Sequence, residues 1–169
     1  MKRLLISMTI ISCMVALAVL LIVQPAVAQG KLEGVAGDPI MGTWKTNVSK
    51  TKLAPVGDWL KEVTWTFREV GDQLTYEGKG TLINGSAYSP KGSRPLVGGM
   101  GQPPNTDGTV SYVTVIGPGD SFVTTLRDGK QISCDHFVVS KDGKTLTVTT
   151  KGTDAQGKPA EALYILDRQ

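Results

Sequence analysis

The stretch from Val110 to Pro159 decides the fold: VSYVTVIGPGDSFVTTLRDGKQISCDHFVVSKDGKTLTVTTKGTDAQGKP. Apolar and β-branched residues alternate along it with period two. Val110, Tyr112, Thr114 and Ile116 share one face of a strand. Gly117-Pro118-Gly119-Asp120 forces a turn, and Phe122, Thr124 and Leu126 alternate next. Asp128-Gly129, Asp142-Gly143 and Gln156-Gly157 then recur every 14 residues, each followed by a lysine. That spacing suits strands of about 10 residues, roughly 33 Å long, joined by tight hairpins. Ile132, Cys134, His136 and Val138 mark one such strand, Leu146, Val148 and Thr150 the next, and Ala160, Ala162, Tyr164 and Leu166 the last.

The preceding half carries the same signal less regularly. Ile40, Gly42 and Trp44 fall on one face of a first strand. Val63, Trp65 and Phe67 share a face of a second, and Leu74 and Tyr76 line a third. Asn84-Gly85 is a strong hairpin signal because both residues tolerate positive φ, and a short strand around Ser86–Tyr88 should follow. The expected fold class is all-β: an antiparallel up-and-down meander of about eight to ten strands that closes into a barrel, because closure removes unpaired edges. A two-sheet sandwich is the alternative, since it too needs one apolar face per strand.

Pro90 to Gly108 breaks the rhythm with a run of prolines and glycines. It reads as a long irregular loop, either a binding loop or lid or a plain surface connection.

The first 28 residues have a different character. Lys2 and Arg3 precede an apolar run from Leu4 to Val23, then Pro25 and Ala26-Val27-Ala28. This is the layout of a secretory signal with cleavage after Ala28, and it predicts a secreted or periplasmic protein whose single domain spans residues 29–169. An uncleaved anchor, or lipid attachment at Cys13, are the alternatives. Removing the leader lowers Lys plus Arg from 18 to 16 against 15 acids, a net charge of +1. A near-neutral chain without a basic run is a poor binder of nucleic acid. The only membrane contact expected is through the leader.

Gly42-Thr43-Trp44 at the opening of the first strand resembles the first-strand mark of the lipocalins, in which the tryptophan closes one end of the barrel. Gly42 to Lys50, Val138 to Thr149 and Lys151 to Pro159 together look like a group of small exported bacterial lipocalin-like proteins. The resemblance covers most of residues 29–169 and implies a barrel, but no activity. On that resemblance, and not on spacing, Arg168 has the option of stacking on Trp44. The chain departs from the lipocalins in ending at Gln169, without their helix after the last strand. It departs from fatty-acid-binding proteins in having no room between Asn47 and Asp58 for two helices.

Little in the sequence points to catalysis. His136 is the only histidine, and Cys134 the only cysteine beyond the leader. Two residues apart on one strand, they form a conceivable nucleophile–base pair, set against the plainer reading of a small buried thiol and an imidazole at the barrel mouth. Asp128, Asp142 and Asp154 are explained as turn residues. No pattern calls for a metal or another cofactor. The barrel interior remains. Trp44, Trp65, Phe67, Tyr76, Tyr112, Phe122 and His136 are the residues expected to point inward, either filling the core or lining a cavity. The expected partner is a small apolar molecule, and the alternative is an envelope protein bound through the Pro90–Gly108 segment or an edge strand.

Overall fold

In a computed structural model, which describes residues 37–53, 59–101, 108–154 and 156–169, strands carry all the regular structure. They are β1 (Gly42–Thr46), β2 (Leu60–Val70), β3 (Gln73–Leu82), β4 (Ala87–Tyr88), β5 (Lys91–Pro95), β6 (Gly98–Met100), β7 (Thr109–Gly117), β8 (Asp120–Arg127), β9 (Lys130–Val139), β10 (Thr145–Thr153) and β11 (Pro159–Arg168). The leader assigned to residues 1–28 lies outside the described residues.

All of them belong to one antiparallel sheet with the order β4-β3-β2-β1-β11-β10-β9-β8-β7-β6, and β5 pairs with β3. The meander is the expected one, and a single sheet rules out the sandwich. Its 14-residue rhythm matches β9, β10 and β11. Asp128 and Gly129 both take positive φ (51° and 73°) between β8 and β9, the conformation that a two-residue hairpin requires.

The expectation of an irregular loop from Pro90 to Gly108 needs correcting. Its first part forms β5 and β6, while residues 102–107 lie outside the described residues. Glycine makes this pairing available. A Cβ on Gly98 would stand 2.6 Å from the Val113 carbonyl oxygen, so only a residue without one lets β6 approach β7 so closely. β5 and β6 lie side by side across the Leu96–Val97 turn, but no ladder joins them among the described residues. The curl of the sheet therefore has one seam.

The opposite closure is between the chain's first and last strands. Trp44 pairs with Arg168 and Thr46 with Leu166. Ile40, Trp44, Val63, Phe67, Leu74, Leu146, Val148, Ala162, Tyr164 and Leu166 form the buried core, drawn from β1–β3, β10, β11 and the lead into β1. Trp44 is fully buried. Removing roughly 200 Å² of indole from water contributes about 5 kcal/mol at about 25 cal/mol per Å². Its Nε1 donates to the Ile40 carbonyl at 2.7 Å, so the buried polar atom is satisfied.

Arg168 caps this end of the barrel. Its guanidinium sits 4.1 Å above the Trp44 ring. Nε donates to the Gly143 carbonyl at 2.5 Å, Nη1 to the Met41 carbonyl at 2.6 Å, and Nη2 to the Pro39 carbonyl. One planar side chain thus ties together the lead into β1, the β9–β10 turn and the last strand, a task its fixed fork of donors suits. Arg168→Ala should lower unfolding free energy by about 3 kcal/mol in urea titration, and Arg168→Lys should restore only part of it. A loss in Arg168→Ala below about 1 kcal/mol would show that the cap is ornamental.

Candidate functional site

The strands leave a half-open cavity of about 210 Å³ between them. One wall is Trp59, Leu60, Val63, Trp65, Leu82 and Tyr88, from β2, β3, β4 and the residue before β2. The facing wall is Ser133, Asp135 and Phe137 of β9, Val148 and Thr150 of β10, and Tyr164 and Leu166 of β11. Register explains the second wall. Phe137 pairs with Val148 and Val148 with Tyr164, while Asp135 pairs with Thr150 and Thr150 with Ala162. Cross-strand partners point to the same face of a sheet. The clear apolar face of β10 therefore carries Phe137 and Asp135 inward with it.

Trp65 anchors the aromatic side. Its ring stacks on Phe67 at 5.8 Å and meets Tyr76 and Tyr88 edge-on at 5.8 and 6.0 Å. Gly78 lies beneath it, where a Cβ would stand 3.0 Å from Trp65 Cε3 and 3.2 Å from Pro90 Cγ. The glycine gives the indole its seat.

Of the residues expected to point inward, four do. Trp65 lines the cavity. Phe67 and Tyr76 pack behind it, and Trp44 is sealed under Arg168, so these three are interior without facing the space. Tyr112, Phe122 and His136 are on the other face, and the expected inward placement of these three is corrected here. Tyr112 pairs with Thr124 and Thr124 with Cys134, while Phe122 pairs with His136. These alternate with the inward Ser121, Val123, Ser133, Asp135 and Phe137. The reason is that β9 has two apolar residues on each face of its central stretch, Ile132 and Val138 against Phe137 and Val139. Period two alone cannot rank the two faces.

On the outer surface His136 stacks on Phe122, centroids 4.1 Å apart, and its Nε2 donates to Asp120 Oδ1 at 2.8 Å. The Cys134 sulfur is approached by Thr124 Oγ1 at 3.9 Å. Cys134 and His136 share a face, as expected, but their polar contacts run to different partners.

Asp135 is the cavity residue that sequence reasoning missed. Thr150 Oγ1 donates to its Oδ1 at 2.5 Å. Burial raises its carboxyl to about 6, partly offset by the Thr150 bond, and no positive charge is among the causes. Burial and then the Asp135 charge push the Tyr164 phenol up to about 12. Arg94, the other charged interior residue, is in register with Leu74 near the opposite end of β3 from Leu82. Its Nη1 donates to the Pro95 and Leu96 carbonyls at 3.0 and 3.3 Å. Burial lowers its pKa, with the nearby Asp38 charge opposing. Among the described residues no three side chains converge as metal ligands.

No family model and no curated protein matches the chain. Distant likenesses exist among solved structures. A zebrafish ileal bile acid-binding protein complexed with cholic acid is 15% identical over 78% of this chain and 99% of its own, with a TM-score of 0.47. As-p18, an extracellular fatty acid binding protein, is 15% identical over 78% and 97%, TM-score 0.45. Lobster apocrustacyanin A1 is 14% identical over 79% and 63%, TM-score 0.41. They are too distant to carry any residue or ligand across.

The Asp135 carboxyl has a testable signature. Its folded pKa lies above the unfolded value, so its contribution to stability is fully present below pH ~4 and lost as pH rises through ~6. Asp135→Asn, which keeps the shape and can still accept from Thr150, escapes that loss. At pH 7.5 the variant should be more stable than the parent by up to about 3 kcal/mol, and the gap should close by pH 4. Thermal melts across that range check it; a pH-independent difference would contradict the burial argument.

Proposed function

We propose that this chain is an exported binding protein that holds one small, largely apolar molecule inside its barrel and carries out no chemistry on it. The observation that carries the reading is the cavity: a half-open space walled by indoles, phenols and aliphatic side chains, with a few polar atoms between them. Pockets of that make-up bind by excluding water from apolar surface and orient the ligand with their few polar groups. Size narrows the ligand. At about 210 Å³ the space is smaller than the ~300–1,000 Å³ of sites for drug-sized molecules, yet larger than the ~150 Å³ cavity that takes benzene. A one- or two-ring molecule fits that range; a long acyl chain or a steroid does not.

Export rests on the layout of the first 28 residues, from Lys2 and Arg3 to Ala26-Val27-Ala28. Mass spectrometry of the protein recovered from its native envelope should give an N-terminus at Gln29. A mass that includes residues 1–28 would overturn that part of the reading.

A partner protein is the second reading, and one observation favours it. Val97, Met100, Tyr112 and Ile116 are exposed on or beside β6 and β7. A Tyr112→Lys/Ile116→Lys variant would lose such a partner while keeping its small ligand.

Occupancy can be read from the chain's own tryptophans, since Trp59 and Trp65 both line the space. Titration with 1-naphthol should shift their emission and saturate at one molecule per chain. Leu82→Trp, which adds bulk to the wall, should weaken that binding at least tenfold. An unmoved emission, or equal binding in the variant, would sink the cavity reading.

A further inference from the structure

The cavity has a chemical polarity. Among the described residues thirteen side chains line it, and Asp135 is the only carboxylate among those. Neither Lys, Arg nor His is in the lining among the described residues. The other ionisable lining groups are the phenols Tyr88 and Tyr164, with the hydroxyls of Ser133 and Thr150 beside them. On β10 and β11, the strands that follow β9 around the sheet, the residues in register with Asp135 are Thr150 and Ala162. On β8 the partner of Asp135 is Val123. Among the described residues the only hydrogen bond to the carboxylate is the one from Thr150, so one oxygen is satisfied while the charge has no cation beside it. Arg94, the nearest candidate by chemistry, is engaged with the Pro95 and Leu96 carbonyls and is not part of the lining.

A half-buried carboxylate without a counter-ion is an unfavourable arrangement that a ligand can relieve. Taken with the proposed binding role, on which this inference rests, the geometry points to a ligand whose apolar ring lies against Trp59, Trp65 and Phe137 and whose protonated nitrogen pairs with Asp135. The ligand class is a small arylalkyl amine. The same charge arrangement disfavours a ligand carboxylate, since two anions would meet in a space with no cation between them. A charge-assisted bond from an ammonium to Asp135 completes what the protein leaves open, and Tyr164 and Ser133 supply further polar contacts around the head group.

Three one-ring probes of near-equal size separate the possibilities: 2-phenylethylamine, 2-phenylethanol and 3-phenylpropionate. Each is titrated against the full protein by tryptophan emission and calorimetry, with the parent and Asp135→Asn compared. The amine should bind the parent at least tenfold more tightly than the alcohol, and the carboxylate more weakly than either. In Asp135→Asn the alcohol should bind as before, which reports an intact cavity, and the amine should lose its advantage. Amine affinity for the parent should also rise between pH 5 and pH 8 as Asp135 ionises, with the Tyr164 phenol, pushed up to about 12, remaining protonated. If the alcohol binds but the carboxylate equals the amine, or the amine keeps its advantage in Asp135→Asn, the assignment of an amine ligand is overturned while the cavity reading stands. If none of the three binds, both are overturned.

Discussion

The ladder between β1 and β11 is the constraint on which the remaining structure depends. Local pairings alone build two separate pieces, β1 to β5 and β6 to β11, because no ladder joins β5 to β6 among the described residues. Only when the last strand finds the first does the sheet enclose anything. The chain meets that demand with redundancy. Backbone pairing from Trp44 to Thr46 continues as Asn47 N donating to the Ile165 carbonyl and as a Lys52–Leu163 bridge. Thr46, buried, both donates to the Val63 carbonyl and accepts from the Val63 amide, at 3.0 and 2.9 Å. It extends the β1–β2 contact by a side chain past the residues that pair through backbone. Arg168 then locks the end. The core residues cluster around this closure, and the cavity lies between walls that it holds together.

The two halves of the barrel differ in how they are stabilised. Around β1–β3, β10 and β11, large apolar side chains meet and are buried. Around β5–β8 the inward residues are smaller or polar, such as Ser111, Val113, Ser121 and Val123, and the buried cation Arg94 is held by backbone carbonyls. Correspondingly, apolar surface on the far side of β6 and β7 is turned outward, with Ile116 the most exposed of these side chains at 61%. Its position follows from a bulge in the β7–β8 ladder between Val115 and Gly117, which leaves it without a cross-strand partner.

Much of this was legible in the amino-acid sequence. The alternation and the evenly spaced Gly turns gave the meander, and Gly-Thr-Trp gave the packed tryptophan at the start of β1. What was not legible has a physical cause in each case. The β5 and β6 strands are built from Lys91-Gly92-Ser93-Arg94-Pro95 and Gly98-Gly99-Met100, sequences with no apolar alternation, because they are held by pairing to β3 and β7 and not by burial. The facing of β8 and β9 is not set by their own alternation: β8 turns Phe122 and Leu126 outward against Val123 inward, and β9 has apolar residues on both faces. Register resolves it: Leu146 and Val148 alternate with threonines on β10 and declare their face, and the Ser140–Lys144 turn fixes Val139 opposite Leu146. Carried across one ladder, that choice turns His136 outward and Asp135 inward. The one signal for Asp135 in the sequence is its place in the middle of a strand, where no turn explains an aspartate.

The seam between β5 and β6 has a topological meaning. With β1 bonded to β11, the strands form a ring whose missing ladder falls between Leu96 and Val97, not between the first strand and the last. The native chain is therefore cut in one place and the sheet in another. A permuted order that begins at β6, runs through β11 into β1 and finishes at β5 would have its ends at the existing gap. Every ladder joining the long strands would then link sequence neighbours, and the long-range search that now unites Trp44 with Arg168 would become a local turn, the kind of contact that shortens folding times.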